Sequence, residues 1–200
     1  MTPAAPLSTI IAVIGEKQNK TRAAAPPAPA VLWFTGLSGA GKSTIAEQVV
    51  AALQQRGVPV EYLDGDRVRD VFPATGFSKE ERDAHIARIG FIAHLLEKHG
   101  VTVVAAFVSP YRAARARVRA MCRRFLEIHV ATPLEECERR DVKGLYQRAR
   151  SGAVAHFTGV SDPYEAPEQP ELVIDTTRVP LAAARDMVLN LFDGTPPSPL

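Results

Sequence analysis

The chain has 200 residues, of which 46% are hydrophobic and 23% are charged, and its formal net charge is +2. This composition predicts one folded domain, and the charge is too small to make nucleic acid or an anionic membrane the main partner. Cys122 and Cys137 form neither a CxxC motif nor a secreted disulfide framework, and no apolar run is long enough to span a bilayer. We therefore expect a cytoplasmic protein that does not insert into membranes.

The first 30 residues are rich in proline and alanine and end in AAAPPAPA. They lack the basic start and the long apolar segment of a secretory signal, but Lys17, Lys20 and Arg22, with few acidic neighbours, leave a transit peptide open. We interpret residues 1–30 as a flexible arm whose proline-rich end links it to the domain.

From Val31 onward, apolar runs of strand length alternate with helical patterns. The predicted strands are VLWFTG, VPVEYLDGD, VTVVAAFVSP, FLEIHVAT and ELVIDT. The predicted helices cover residues 43–57, 79–100, 111–124, 133–141 and 180–192. Apolar strands that helices separate predict an α/β domain over residues 31–194, with three α/β/α layers and a mainly parallel sheet. Ligands of such sheets bind at the carboxyl ends of the strands.

The regular pattern fails over about residues 142–170. Glycines and prolines are scattered there among basic and aromatic residues. A long irregular segment in a compact domain is typical of a functional lid or of a disordered loop, and we predict a lid. The proline-rich residues 195–200 are expected to form a frayed tail.

The stretch GLSGAGKST lies between the first predicted strand and the first predicted helix. It contains the complete Walker A pattern GxxxxGK[ST], so a P-loop that binds a nucleoside triphosphate is predicted. The expected ATP-binding residues are Gly36, Leu37, Ser38, Gly39, Ala40, Gly41, Lys42, Ser43 and Thr44. Lys42 is expected to reach the β and γ phosphates, and the Ser43 hydroxyl to bind Mg²⁺. The motif alone does not distinguish a kinase from a GTPase switch or an ATPase motor.

Two carboxylates end the second predicted strand, in the sequence LDGD. Asp64 and Asp66 would lie near the phosphate loop if their strand is close to the first strand. Carboxylates in that place bind Mg²⁺ or accept the proton of a hydroxyl that attacks the γ-phosphate. The alternative is that both are ordinary acidic residues of a turn.

Basic and aromatic residues accumulate after the predicted strands and at the starts of helices. They are Arg69, Phe77, Arg82, Arg88, Arg112 and Arg115. Arginine pairs bidentately with phosphate or sulfate, so the group predicts an anion-binding rim, although each residue alone is more simply a solvated surface charge. His94, His99, His129 and His156 show no spacing typical of metal ligands, and no metal is assigned to them.

Six segments resemble, in order and spacing, the adenylylsulfate kinases (APS kinases). They are GLSGAGKST, DGDRVR, GFSKEERDAHIARIG, SPYRAAR, RDVKGLYQRAR and FTGVSDPYEAPEQPEL. The resemblance runs from about Val31 to Gly194, and KGLY, FTG and PYEAP are its specific motifs. It implies a P-loop kinase that uses ATP and Mg²⁺ to phosphorylate the 3′-hydroxyl of adenosine 5′-phosphosulfate, giving PAPS and ADP. It also implies a homodimer.

The resemblance further implies roles for individual residues. Arg69 and Arg82 would hold the phosphosulfate, Phe77 and Phe157 would sandwich the adenine, and Lys143 would begin the lid. The implied substrate-binding residues are Asp66, Arg69, Phe77, Arg82, His85, Ser109, Pro110, Arg112, Lys143, Gly144, Leu145 and Phe157.

Four positions are implied to do the chemistry. Lys42 would act on the transferred phosphate, Asp64 would hold the metal together with Ser43, and Asp66 would lie nearer to the 3′-oxygen as the base. Ser109 matches a serine proposed in some family members as a phosphoserine intermediate. Direct in-line transfer needs no such intermediate, and the alternative is that this serine caps the next helix.

The chain departs from the family pattern at four positions. Arg67 stands where an asparagine is usual, His85 replaces an asparagine that contacts substrate, Ala87 replaces an arginine, and Val142 replaces the proline of RDPKGLY. These changes bear on substrate affinity, although the His85 ring still donates a hydrogen bond.

Two other functions stay open at this point. One is a P-loop kinase of another small hydroxyl compound. The other is a silent nucleotide-binding partner of ATP sulfurylase, for which the arm could be a docking segment or the remnant of a fusion.

Overall fold

A computed structural model describes residues 27–72 and 76–195. Most of the predicted arm (residues 1–26) and of the predicted tail (residues 196–200) lies outside the described residues. The elements, in chain order, are β1 (Val31–Thr35), α1 (Lys42–Gln55), β2 (Val60–Asp64), α2 (Gly65–Val71), α3 (Lys79–Lys98), β3 (Thr102–Ala106), α4 (Arg112–Met121), β4 (Phe125–Val130), α5 (Leu134–Arg140), α6 (Leu145–Arg150), β5 (Leu172–Ile174) and α7 (Leu181–Asp193).

The five strands form one parallel sheet in the order β2-β3-β1-β4-β5. β1 lies at the centre, where Val31 pairs with Val103 on one side and with Phe125 on the other. Every residue of β1 is buried. The phosphate-binding motif therefore leaves the sheet from its middle strand, with strands on both sides of it.

Helices cover both faces of the sheet. Leu32 and Phe34 of β1 pack into a core that also contains residues of α1 and α7. Val31 and Trp33 point the other way, into a second core with residues of α3 and α4. The predicted α/β/α architecture and the parallel sheet are thus confirmed.

The second strand is shorter than predicted, because its last carboxylate starts a helix. Asp64 caps α2: its Oδ1 accepts hydrogen bonds from the backbone amides of Asp66 (3.0 Å) and Arg67 (3.2 Å). The prediction that a strand continues to Asp66 is wrong, and Asp66 lies on the first turn of α2.

The segment from residue 142 to 170 is largely irregular, as predicted, but it contains the helix α6. Asp141 accepts hydrogen bonds from the amides of Tyr146 and Gln147, both at 3.0 Å, and so satisfies amides of the first turn. Six residues are too few for a periodic signal, and tertiary contacts of the buried Tyr146 stabilise this helix.

Across residues 27–72 and 76–195, none of the helices combines the length and the apolar character that crossing a bilayer requires.

Candidate active site

The phosphate loop, residues 36–41, has a backbone that depends on its glycines. Gly36, Gly39 and Gly41 have φ values of 150°, 75° and 101°, which side-chain-bearing residues rarely adopt. A Cβ atom on Gly36 would lie 2.4 Å from the carbonyl oxygen of Val130, so β4 leaves no room for one. Beside the loop, the Thr132 hydroxyl donates to the Ala40 carbonyl oxygen at 2.9 Å. The loop is therefore held in a fixed curve between β1 and α1.

Lys42 lies under this loop rather than in solvent. Its side chain is buried, and Nζ donates a hydrogen bond to the Leu37 carbonyl oxygen at 2.7 Å. Burial lowers the pKa of Lys42 from 10.5 to about 8. A bound polyphosphate would favour the charged form, because it places negative charge beside the ammonium group.

Asp64 brings the end of β2 to the start of α1. Its Oδ2 accepts hydrogen bonds from the Ser43 hydroxyl at 3.2 Å and from the Tyr62 hydroxyl at 3.1 Å. Asp64 lies close to the phosphate loop, as predicted, although β3 separates β2 from β1 in the sheet. The first turn of α1, and not strand pairing, makes the contact.

The Ser43 and Asp64 oxygens fit the ligand preferences of Mg²⁺. This ion takes oxygen ligands, keeps several waters, and usually binds one or two carboxylates together with phosphate oxygens. Within the described ranges, no group of three or more His, Cys, Asp or Glu side chains could hold a metal ion. The donor set therefore suits an ion that arrives with a nucleotide better than a site made by the protein alone.

Asp66 and Lys143 form an ion pair between α2 and the segment that precedes α6. Both side chains are more than half exposed. Such a pair contributes little to stability, because solvent screens it, and it opens at small cost. The candidate base is therefore paired with the candidate lid residue.

One cavity of about 700 Å³ joins the phosphate loop to α2, α3, the segment after β3 and the predicted lid. The predicted site residues that line it are Ser38, Gly39, Gly41, Lys42, Ser43, Thr44, Asp64, Asp66, Arg69, Phe77, Arg82, His85, Ser109, Pro110, Lys143, Leu145 and Phe157. Its lining does not include Gly36, Leu37, Ala40, Arg88, Arg112, Arg115 or Gly144.

Arg82 ties α3 to the predicted lid. Its guanidinium donates to the Phe77 carbonyl oxygen at 2.8 Å, to Thr158 Oγ1 at 2.7 Å, and to the His156 carbonyl oxygen. The Phe77 ring is 52% exposed, and the guanidinium carbons of Arg69 and Arg82 lie 5.0 and 5.6 Å from its centroid. These contacts form a flat, positively charged wall.

Tyr146 links Phe157 to the phosphate loop. The edge of the Tyr146 ring meets Phe157 with 5.0 Å between ring centroids, and the Tyr146 hydroxyl donates to the Ser38 carbonyl oxygen at 2.9 Å. The predicted lid is thus attached to the loop that would hold the phosphates. Sequence reasoning missed Tyr146, although it stands next to Leu145 in the KGLY motif.

Ser109 is buried at the bottom of the cavity in a strained conformation, with φ 38°. Its hydroxyl accepts a hydrogen bond from Trp33 Nε1 and donates to Thr35 Oγ1, both at 3.1 Å. The alternative that Ser109 caps the next helix is wrong, because α4 begins after Tyr111 and has no side-chain cap.

Arg112 and Arg115 do not belong to the predicted anion-binding rim. Arg112 donates to the Ala166 carbonyl oxygen at 2.7 Å and to Glu168 at 2.9 Å. Arg115 is buried and pairs with Glu127 at 2.7 Å. Their carboxylate and carbonyl partners are distant in sequence, so residue type alone did not distinguish these arginines from Arg69.

Arg115 instead fastens the PYEAP segment to the floor of the cavity. It donates to the Ser109 carbonyl oxygen at 2.6 Å and to the Glu165 carbonyl oxygen at 2.7 Å. The Glu165 amide in turn donates to the Pro110 carbonyl oxygen at 2.9 Å. Sequence reasoning placed Arg115 on the rim and did not foresee this positioning role.

A Walker A loop on the central strand of a parallel sheet, with a buried lysine and a cavity that extends from the loop to the predicted lid, is typical of a P-loop kinase. The family model described as adenylylsulphate kinase matches residues 28–175. The chain belongs to the adenylylsulfate kinase family.

Individual relatives agree with this assignment. An adenylyl-sulfate kinase of Synechococcus sp. (strain JA-2-3B'a(2-13)) is 53% identical over 160 residues, which are 80% of this chain and 91% of that protein. The structure of the Mycobacterium tuberculosis APS kinase CysC in complex with AMPPNP and APS is 38% identical, with a TM-score of 0.79 over 84% of this chain and 99% of that chain. The hexameric APS kinase from Thiobacillus denitrificans is 37% identical, with a TM-score of 0.65 over 84% of this chain and 29% of that longer chain.

Proposed function

We propose that this protein is an adenylyl-sulfate kinase, which transfers the γ-phosphate of ATP to the 3′-hydroxyl of adenosine 5′-phosphosulfate and releases PAPS and ADP. The observation that carries the proposal is the cavity in which the phosphate loop faces an aromatic and arginine wall. A GTPase switch or an ATPase motor needs the phosphate loop but has no need of the aromatic and arginine wall. Family membership supports the choice of substrate.

On the ATP side, the fixed loop and Lys42 bind the polyphosphate. The loop is preorganised by its glycines and by Thr132, so that little rearrangement is needed when charge develops on the γ-phosphate. Lys42 lies where its ammonium group can leave the Leu37 carbonyl oxygen for phosphate oxygens. Ser43 and Asp64 would hold Mg²⁺, which would neutralise the charge of the phosphate oxygens.

On the substrate side, Phe77 and Phe157 are proposed to stack on the adenine, and Arg69 to pair with the phosphosulfate. All three side chains line the cavity, and Arg69 lies over the Phe77 ring. The guanidinium of Arg82 is already bonded to Phe77 and to the lid, which favours a positioning role for Arg82 over a direct grip on the anion. The resemblance implied instead that Arg82 holds the phosphosulfate together with Arg69.

Asp66 is proposed to accept the proton of the 3′-hydroxyl. The 3′-oxygen then forms the new bond to the γ-phosphorus as the bond to the β,γ-bridging oxygen breaks, and ADP leaves. For this, the ion pair between Asp66 and Lys143 must open. Lys143 then moves toward the phosphates as the lid closes. Ser109 already uses its hydroxyl within the fold, which supports direct transfer over a phosphoserine intermediate.

The assembly and surroundings of the enzyme are expectations. We propose a homodimer and an association with ATP sulfurylase through residues 1–30. Both cysteines of the chain are unpaired, which supports a reducing compartment such as the cytoplasm. Light scattering of the purified protein, alone and mixed with ATP sulfurylase, tests the first two points.

Purified full-length protein with Mg²⁺ and ATP is offered adenosine 5′-phosphosulfate, a sugar panel or a nucleoside panel, and ADP release is measured. We expect ADP and PAPS with adenosine phosphosulfate alone. Turnover of a sugar or nucleoside in its place would overturn the substrate assignment, and binding of ATP without any turnover would favour the silent partner. Lys42→Ala is the control for activity from contaminants.

A further inference from the structure

His85 is a buried imidazole that the fold leaves without a hydrogen bond. It is 2% exposed, it lies one turn after Arg82 on α3, and it lines the cavity. Among the residues that the structure describes, neither Nδ1 nor Nε2 has a hydrogen-bond partner. Buried polar atoms are nearly always paired, and an unpaired one is costly to the fold unless a ligand pairs it.

The ring is held in place by packing. Its edge meets the Phe107 ring, with 6.0 Å between centroids and 66° between planes. Ile86, the next residue of α3, is buried in the same core as Phe107. The imidazole is therefore preorganised at the cavity wall, and its polar atoms are free for a ligand in the cavity.

The charges around His85 are mostly positive. The charged groups that act on the ring are Arg69 of α2 and Arg88 of α3, and the charged residues of α2 and α3 that line the same cavity are Asp66, Arg69 and Arg82. Arg117 of α4 pairs with Asp83 of α3 at 3.3 Å, and Asp66, which is paired with Lys143, also acts on Arg69. The residues at the end of β3 that line this part of the cavity, Phe107 and Ser109, are uncharged. Burial, with Arg69 and Arg88, lowers the pKa of His85 from 6.5 to about 4.

An anionic ligand would reverse this balance. It would pair with Arg69, cancel the repulsion between Arg69 and the imidazole, and accept a hydrogen bond from a ring N–H. The proton-bound form of the ring, which is unfavourable in the free protein, then becomes favourable. By linkage, a group whose proton affinity rises on binding takes up a proton, and binding strengthens as the pH falls.

We propose that His85 couples capture of the phosphosulfate to proton uptake, so that the bound substrate is gripped by an imidazolium at slightly acidic pH. This inference rests on the proposed function, since it takes the phosphosulfate as the anion beside Arg69. It makes His85 a substrate-binding residue whose hold on the anion depends on its own protonation.

The size of the effect follows from the two protonation states. If the bound anion restores the ordinary pKa of 6.5 from the value of about 4 in the free protein, the affinity for the substrate rises about tenfold between pH 7.5 and pH 5.5. The phosphosulfate anhydride keeps the same charge over this range. The titration is therefore that of the protein.

The test is the KM for adenosine 5′-phosphosulfate at saturating Mg·ATP from pH 5.5 to pH 8, in wild type, His85→Asn and His99→Asn. The Asn side chain keeps a donor but does not titrate. His99→Asn, at the exposed end of α3, is the matched control for removal of a histidine. We expect the wild type and the control to show the fall in KM at acidic pH, and His85→Asn to show a KM that does not change with pH.

Calorimetry of the wild type gives a second measurement that needs no variant. Binding of adenosine phosphosulfate to the Mg·ADP-loaded protein at pH 5.5, in two buffers of different ionisation enthalpy, should show uptake of close to one proton. No proton uptake, or the same KM profile in all three proteins, would overturn the inference. Either result with normal turnover leaves the proposed function intact, whereas absence of turnover with adenosine phosphosulfate refutes that function first.

Discussion

Gly36→Ala tests whether the phosphate loop is fixed by its contact with β4. The added Cβ would meet the Val130 carbonyl oxygen at 2.4 Å, and a strand carbonyl cannot rotate aside as a flexible side chain would. Strain at φ 150° costs about 1–3 kcal/mol, and the forced backbone shift about as much again. We expect the free energy of unfolding to fall by about 3 kcal/mol.

Gly57→Ala is the matched control. Gly57 also has a positive φ, 71°, just after α1, but a Cβ there would have no atom within 4 Å. Only the conformational cost applies, so about 1 kcal/mol is expected. The difference of about 2 kcal/mol measures the clash with β4 together with the greater backbone strain at Gly36.

Urea denaturation of both variants measures the two losses, and calorimetry with Mg·ADP measures the effect on the loop. We expect Gly36→Ala to weaken ADP binding more than tenfold and Gly57→Ala to leave it unchanged. Equal losses of stability in the two variants, or unchanged ADP binding by Gly36→Ala, would refute the view that β4 sets the shape of the loop.

Three further predictions concern single contacts. Burial lowers the pKa of Lys42 to about 8, so the free protein loses this positive charge above that pH. The affinity for ADP, measured by calorimetry, should therefore fall about tenfold from pH 8 to pH 9.5. In Lys42→Arg, the affinity for ADP should not change over this range. Phe157→Ala should raise the KM for adenosine phosphosulfate with little change in kcat, whereas Lys42→Ala should abolish turnover. Arg115→Ala should cost about 3 kcal/mol in urea denaturation, because the buried Glu127 loses one of its two arginine partners and the Ser109 and Glu165 carbonyl oxygens lose a donor; a loss below about 1 kcal/mol would contradict this.

The local patterns of the sequence determined the class of fold and the phosphate loop. Buried parallel strands are apolar throughout, and GLSGAGKST carries the glycines, lysine and serine that a phosphate-binding loop needs. The sheet and the loop can therefore each be predicted from a few neighbouring residues. Short helices such as α2 and α6 could not be predicted from the sequence, because tertiary contacts and hydrogen bonds to Asp64 and Asp141 stabilise them.

The tertiary structure alone decided which charged residues face the cavity. Arg69 and Arg115 look alike in the sequence, yet one lines the cavity and the other is buried against Glu127. A charge takes its role from the partner that folding brings to it, and that partner is often distant along the chain. The first turn of α1 likewise brought Ser43 to Asp64 although β3 separates their strands, and the packing of α3 left the buried His85 ring unpaired at the cavity wall.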